Sequence, residues 1–584
     1  MPQFWLWLLL AAVADDVSAA LVCVARMAAR YAKTGGCTMS QAIPEQNNNE
    51  LQQRLKACKR SGVGLSVLAV VQSLLSVLFA LAMRNVVNRA VVGESLRGWG
   101  LFLAFLSVVI PIVFGARRFT TFRISDRTVA SLRQTVMRMI RQKRYDALQE
   151  IHGGVLLDRL LTDVFTVSDR YLRTIPAAVG QVAQLIGSMG VLWGIRAPVA
   201  VLALALGVVL AVLGLAFRRL LRKYYHTARD AEELLTACMQ EELEQLEILR
   251  CADARQMEQR LETRQKKWRT SRLTLRTVQT GGATLFSLLV QVGTAVLMGW
   301  GALQIRAGMM AVGDLTAMLQ LVALFRSPVA GLTGLQAQLA AADAAWERLD
   351  AIGRLPDEEP AKILPPNVKA LCFRDVTFGY DADETPVFSH FSAEIPLDCW
   401  TRLSGVSGRG KSTLYRLILG LFQPNSGEIV LKTDSGEIAC GAATRHLFAW
   451  VPQTPILFSG TIRENLLLYS PNVSEEELRS VIEKAQCGFV YDLPNGLDST
   501  VGQFGEGLSI GQRQRIAVAR ALLSGARVLL LDEITSSLDT PTAELLLTAL
   551  QKDYPAALYA THRLDLLSVQ TDRQIQLEGQ ADQE

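Results

Sequence analysis

The sequence has 584 residues, with 60 basic and 55 acidic side chains and a formal net charge of +5. Half of it is hydrophobic and only 20% is charged, which excludes a disordered chain. Its mean hydropathy is positive, unusual for a soluble protein of this length. The charge surplus is small for so long a chain and gives no reason to expect a nucleic-acid partner. None of the nine cysteines stands in a CxxC pair, and the five histidines do not cluster with them at zinc spacing. Reduced thiols are therefore expected rather than a disulfide scaffold.

In chain order, residues 1–55 form a leader. Phe4 to Ala14 and Val17 to Val24 are apolar, but Asp15 and Asp16 separate them. Two carboxylates at mid-bilayer would be costly, so an interfacial amphipathic helix is expected, or a true translation start at Met39. Residues 56–352 carry six apolar runs of spanning length: Gly62 to Met83, Gly98 to Gly115, Ile175 to Gly194, Ala197 to Phe217, Thr280 to Leu303 and Leu315 to Leu335. About 20 helical residues cross a bilayer. The segments after the second and fourth runs are long and basic near the membrane, with Arg117, Arg118, Arg123, Arg127, Arg218, Arg219, Arg222 and Lys223. Basic residues stay cytoplasmic, so both segments and the C-terminal domain are expected there. Their apolar residues recur three to four apart, as in helices that continue the spans into the cytoplasm. The pattern breaks near Tyr145 and Asp146 and again at Ala252 to Arg255, where turns are expected.

Polar residues inside the runs include Gln72, Ser73, Arg84, Asn85, Gln181, Gln184 and Gln291. Such residues face a cavity or satisfy a helix–helix contact. Arg84 has two readings, an interfacial anchor or a cavity charge for an anionic substrate group.

Gly353 to Pro366 holds four prolines and a charge cluster, and residues 353–368 are expected to be a linker. Residues 369–584 then alternate short β-rich runs, glycine turns and helices, an α/β domain of about 210 residues. The expected fold class is thus a membrane α-helical bundle of six spans with long cytoplasmic extensions, joined to an α/β P-loop ATPase domain.

Gly405-Val-Ser-Gly408-Arg-Gly410-Lys411-Ser412 fits GxxxxGK[ST], between an expected strand (Trp400 to Leu403) and an expected helix from Thr413. Glycines let successive N–H groups approach phosphate oxygens, and the helix N-terminus adds partial positive charge. Lys411 would neutralise the β- and γ-phosphates of ATP, and Ser412 would ligate Mg2+. Arg527 to Glu533 reads as a buried central strand ending in two carboxylates. Ligands of such sheets sit at the carboxyl ends of strands. Asp532 can hold the Mg2+ shell, and Glu533 can act as general base or orient the attacking water.

Leu508-Ser-Ile-Gly-Gln512, followed by Arg513-Gln-Arg515 just upstream of that strand, resembles the LSGGQ signature of the ABC transporter family. From about Lys56 onward the chain resembles exporter-type half-transporters, in which a membrane domain precedes an ATP-binding domain. The resemblance implies that Tyr380 stacks on adenine, that Gln453 contacts Mg2+ and water, and that His562 is the switch histidine beside the γ-phosphate. Ser536 to Asp539 would be the dimer-contact loop. It also implies head-to-tail closure of two ATP-binding domains, with Ser509, Gly511 and Gln512 of one chain facing the ATP held by the other. The breaks near Tyr145 and Ala252 resemble the family's coupling helices. Ile510 replaces the first glycine of the signature, and Gln503 and Phe504 replace a charged pair in the preceding loop.

The resemblance implies an ATP-hydrolysing exporter in the cytoplasmic (inner) membrane, paired with a second half as homodimer or heterodimer. Membrane lipid and an exported lipid, hydrophobic small molecule or peptide would be its other partners. The competing reading is a nucleotide-gated regulator or channel.

Overall fold

The computed structural model describes residues 45–584 apart from 150, 152, 252–254, 325, 362–366, 381–384, 406–409, 503–504, 564–572 and 578–584. The leader up to residue 44 with its Met39 start, Gly408, Gln503, Phe504 and the break at 252–254 lie outside the described residues, whereas residues 45–55 of the expected leader are helical and continuous with the first expected span. The chain divides into two units, Met1–Arg141 with Gly154–Arg354, and Gln142–Gly153 with Leu355–Glu584.

The first unit is built from long helices: α1 (Glu45–Val92), α2 (Arg97–Gln142), α3 (Ile175–Ile195), α4 (Ala197–Glu244), α5 (Arg255–Arg306), α6 (Val312–Leu324) and α7 (Arg326–Arg354). α1 has 48 residues. At 1.5 Å per residue that is about 72 Å, more than twice a hydrocarbon core of ~30 Å. One half of such a helix is apolar and the other amphipathic. Among the described residues four helices are long and apolar enough to cross a membrane: Glu50–Val92, Arg97–Gln142, Gly153–Ile195 and Arg255–Arg306. The fourth expected span lies in α4, where most side chains from 202 to 220 are outside the description. The sixth runs through α6 and α7, and residue 325 between them lies outside the described residues.

Small and polar residues set the helix contacts, as they must where lipid is as apolar as leucine. Ser73 on α1 donates to the Gly180 carbonyl on α3 at 2.7 Å. A Cβ on Gly180 would sit 3.0 Å from that of Ala69. Gln184 donates to the Leu324 carbonyl at 3.0 Å. On α6, the Gly313 amide donates to Asn88 Oδ1 at 2.7 Å, and a side chain there would collide with the Arg84 carbonyl at 2.3 Å. Arg84 Nε donates to Asp314 Oδ1 at 2.6 Å. The charge read from sequence as an anchor or a substrate contact is therefore neutralised by an aspartate 230 residues away. Towards the N-terminal end of α1, Leu51, Leu132, Val136, Val164, Leu349 and Ile352 form a cluster. Beside it the buried Asp163 carboxylate takes both Arg348 Nε and Nη2, at 2.9 and 2.5 Å.

The second unit holds two main sheets among the described residues. Strands β1 (Val368–Phe378), β2 (Phe388–Pro396), β4 (Ser426–Thr433) and β5 (Gly436–Ala439) form an antiparallel sheet in the order β2-β1-β4-β5. Strands β3 (Trp400–Ser404), β6 (Phe448–Val451), β7 (Val528–Asp532), β8 (Ala556–Ala560) and β9 (Arg573–Gln576) form a parallel sheet in the order β9-β3-β8-β7-β6. All five residues of β7 and of β8 are buried, which is why both are near-continuous apolar runs. Helices α8 (Lys411–Ile418), α9 (Ile510–Leu522) and α10 (Thr540–Asp553) cover the parallel sheet's apolar clusters.

The Gln142–Gly153 segment belongs to this unit. Lys143 and Asp357 form an isolated antiparallel bridge, and Lys143 Nζ donates to the Leu355 carbonyl at 2.7 Å. The Tyr145 ring lies edge-on to Phe422, 5.8 Å between centroids. The seven described cysteines are all free, and burial pushes the Cys440 and Cys487 thiols up to about 12.

Candidate ATP site

Parallel register creates the site. Ala560 at the end of β8 lies opposite Leu403 of β3 and Asp532 of β7, so three strands stop at one edge. Each is followed by a chemically active turn: Gly405 after β3, Glu533 after β7 and His562 after β8. Gly410 initiates α8 with φ +82°, a conformation that suits glycine, and a Cβ there would meet Val387 at 2.7 Å.

Lys411 Nζ is nearly buried, donates to the Gly405 carbonyl at 3.0 Å and lies 3.6 Å from Glu533 Oε1. His562 Nε2 is 2.5 Å from Lys411 Nζ and 3.0 Å from Glu533 Oε1. One ring nitrogen cannot serve both contacts. Protonated it donates to Glu533, and unprotonated it accepts from Lys411. Gln453 Nε2 donates to the other Glu533 oxygen at 2.7 Å. Glu533 itself has φ +51°, uncommon for a non-glycine residue. Its amide donates to the Ala560 carbonyl at 3.0 Å, and its carbonyl accepts from the Ser536 amide and hydroxyl at 3.1 and 2.9 Å. These bonds hold the turn that aims the carboxylate.

Ser412 Oγ donates to Asp532 Oδ2 at 2.6 Å. Burial pushes the Asp532 carboxyl above its ordinary value, against the Ser412 hydrogen bond that lowers it. A hydroxyl and a carboxylate at that separation are hard oxygen donors, the set Mg2+ takes when phosphates complete its shell. No group of three or more His, Cys, Asp or Glu suited to a metal occurs among the described residues, so such an ion would lean on the nucleotide.

Two expected nucleotide contacts are engaged elsewhere. The Tyr380 hydroxyl is 2.9 Å from Thr413 Oγ1 and accepts from Arg416 at 3.0 Å, and its ring packs edge-on against Phe378 and Phe422. The Thr413 hydroxyl thus ties the aromatic to α8. In the signature, Ser509 Oγ accepts from the Gln512 amide at 3.2 Å and Gln512 Oε1 accepts from the Ser509 amide at 2.9 Å, a reciprocal cap on α9. Gly511 has a packing reason of its own, because a Cβ there would lie 2.8 Å from the Ser537 carbonyl. Ile510 is 55% exposed, so this departure from the signature disturbs no packing within the chain.

Sequence reasoning missed two buried side chains. The Tyr415 hydroxyl lies 3.1 Å from the carbonyls of both Leu531 and Leu558, pinning α8 to β7 and β8. Gln514 is fully buried, accepts from Ser537 Oγ at 2.6 Å and reaches the Glu533 carbonyl at 3.4 Å. It bridges the signature helix to the loop behind the carboxylate. Its place next to the signature was the available signal, and Tyr415 had none.

Residues 388–536 match the sequence model described as ABC transporter, and residues 62–329 match that of the ABC transporter transmembrane region. The chain belongs to the ABC transporter family. As an ABC half-transporter it is similar to the "ABC multidrug transporter mdr2" of Aspergillus fumigatus, 33% identical over 49% of this chain and 37% of that one. It is also similar to mouse "ATP-binding cassette sub-family B member 10, mitochondrial", 28% identical over 80% of this chain and 68% of that one. The "ATP-dependent lipid A-core flippase" of Syntrophus aciditrophicus is 27% identical over 76% and 75% of the two chains. This half-transporter therefore spans well under two thirds of the fungal protein and about two thirds of the mouse one. A bacterial Atm1-family ABC exporter solved with ATP bound shares the fold, with TM-score 0.71 and 21% identity over 89% of this chain and 93% of that one.

Proposed function

We propose that this multi-pass membrane protein is one half of an ATP-hydrolysing exporter that works as a dimer. The observation that carries the reading is the convergence of Lys411, Gln453, Glu533 and His562 within 3.6 Å links at one sheet edge. The phosphates of ATP would be bound by Lys411 and the amides that follow Gly405, Gly408 and Gly410. Ser412 and Asp532 would hold Mg2+, with Gln453 reaching the same region; the ion would supply charge neutralisation on the phosphate oxygens. Glu533 accepts a proton from the attacking water or orients it, and Gln453 and His562 position that carboxylate. Tyr380 presents its ring to adenine while its hydroxyl stays on Thr413.

Ser509, Gly511 and Gln512 have no role toward phosphate within one chain, so closure with a second half, identical or different, completes each site. Membrane lipid surrounds it, and a lipid, hydrophobic small molecule or peptide is moved out of the cytoplasm across the cytoplasmic membrane. Names of relatives such as a multidrug transporter and a lipid flippase are compatible with that range.

The test is the purified protein in nanodiscs and sealed proteoliposomes. ATP hydrolysis that Glu533→Gln abolishes, together with net substrate movement, supports the exporter. Hydrolysis without net movement of any substrate favours a nucleotide-gated regulator.

A further inference from the structure

Tyr380 stands two residues beyond the end of β1 and is 42% exposed. A ring in such a place samples several rotamers unless something outside its own strand holds it. The Gly379 amide donates to Asn425 Oδ1 at 2.8 Å, which ties down the backbone beside it but not the ring. The ring is held from α8 (Lys411–Ile418). Thr413 and Arg416 are three residues apart and share one face of that helix. Thr413 Oγ1 lies 2.9 Å from the phenol oxygen, and Arg416 Nη1 donates to it at 3.0 Å. Among the described residues no carboxylate forms an ion pair with Arg416, so its side-chain bond goes to a neutral phenol instead.

The end of α8 supplies a third contact. Gly420 has φ +60°, and the Gly420 and Leu421 amides donate to the Leu417 and Arg416 carbonyls, both at 2.9 Å. That pair of bonds closes a Schellman turn. A Cβ on Gly420 would lie 2.1 Å from the Ala442 amide nitrogen, so no larger residue fits there. The turn delivers the buried Phe422 edge-on to the Tyr380 ring, 5.2 Å between centroids, and Phe378 meets the ring at the same distance. One short helix thus carries Lys411 and Ser412 at the phosphate end and fixes the aromatic at the base end.

We propose that Arg416 is a positioning residue for the nucleotide, holding the Tyr380 ring through its hydroxyl in the place that receives the purine base. The proposal rests on the reading of Tyr380 as the adenine platform and adds the group that sets it. Ordering a side chain at the moment of binding costs affinity, and a ring ordered beforehand spares that cost. Arg416 suits the task because a charged donor makes a stronger hydrogen bond to the phenol oxygen than a neutral one.

The test uses the full chain in nanodiscs and two probes: the non-hydrolysable ATP analogue AMP-PNP, and inorganic tripolyphosphate, which has no base. EDTA is present throughout, because the Arg416 charge also favours the ionised form of Asp532 and would otherwise alter Mg2+ binding. In Arg416→Met, which keeps the length and loses the donors, the Kd of AMP-PNP should rise about three- to tenfold, the cost of ordering one side chain on binding. Tyr380→Phe should show the same rise. Arg416→Met/Tyr380→Phe should show no more than either alone, since both changes remove one interaction. Arg416→Lys retains a charged donor and should recover most of the affinity. Tripolyphosphate should bind all of these variants as it binds the parent. Parental AMP-PNP affinity in Arg416→Met overturns the proposal. Additive losses in the double variant also overturn it, because Arg416 would then have a nucleotide contact of its own. An equal loss for tripolyphosphate does the same, placing Arg416 at the phosphates or in the fold. Tyr380→Ala separates this proposal from the reading beneath it. If that variant binds AMP-PNP as the parent does, the adenine platform is wrong and Arg416 falls with it. If Tyr380→Ala loses affinity while Arg416→Met does not, Arg416 alone is removed.

Discussion

The two units solve the burial of polar groups in opposite ways. In the ATP-binding unit, water drives apolar surface inward, and the buried polar groups of the site gather in pairs at one edge of a parallel sheet, while Thr401 Oγ1 and Arg520 Nη1 are buried without a hydrogen-bond partner among the described residues. Asp532, Lys411 and Gln514 are all buried, and each has a named partner. In the membrane unit, apolar surface needs no covering. The apolar part of α1 is 44% buried within the chain, whereas those of α2 and α5 are 6% buried. A soluble domain with such helices would aggregate, while in lipid only their polar residues demand a partner. The contrast teaches where to look: in one unit paired polar groups gather at the chemistry, and in the other a polar residue finds its partner on a neighbouring helix, as Arg84 does in Asp314.

The largest effect should come from Glu533→Gln. Amide and carboxylate have nearly the same shape, so ATP binding persists while steady-state hydrolysis falls ~10²–10⁴-fold. Radiolabelled phosphate release measures it, and turnover near the parental rate would remove Glu533 from its role. Next comes Lys411→Ala, which removes a buried charge rather than a proton acceptor. Affinity for a non-hydrolysable ATP analogue should drop about tenfold or more by titration, because charge-assisted bonds are lost. Unchanged affinity would contradict the phosphate cradle.

On the membrane side, Arg84→Gln leaves the Asp314 carboxylate without its cation. The melting temperature in detergent should fall by several degrees, and Arg84→Gln/Asp314→Asn should recover part of it, because a pair removed whole leaves no orphaned charge. No recovery would show that Arg84 acts outside this pair.

A smaller effect is expected from Asp532→Asn. Burial raises the folded pKa of this carboxyl, so its contribution to stability is present while it is protonated and is lost as pH rises through the folded value. At neutral pH the nucleotide-free variant should therefore melt above the parent, and the gap should close below about pH 4, where the carboxyl is neutral in both states. The same variant should lose the Mg2+-dependent part of stabilisation by ATP, read by thermal shift with and without EDTA. Smallest of all is Ile510→Gly. The side chain is exposed and α9 keeps its Ser509 cap, so basal ATPase should change by less than about threefold. A larger change would place Ile510 in the contact with the second half.

Local chemistry was legible in the residues themselves. A glycine loop before a lysine and serine, an apolar strand ending in Asp532 and Glu533, and long apolar runs with basic flanks each carry their meaning within a few neighbours. Backbone geometry and bilayer thickness dictate those patterns wherever they occur. Tertiary structure decided what depends on distant partners. Asp314 neutralises Arg84 across 230 positions, and Gly511 is small because the Ser537 carbonyl is there. Tyr415 and Gln514 look like ordinary helix residues until the strands and loop beneath them are in place. The two glutamines Gln184 and Gln291 are alike as letters. Only packing separates them, because a hydrogen bond needs a partner in space and the chain places one beside Gln184, while Gln291 has none among the described residues.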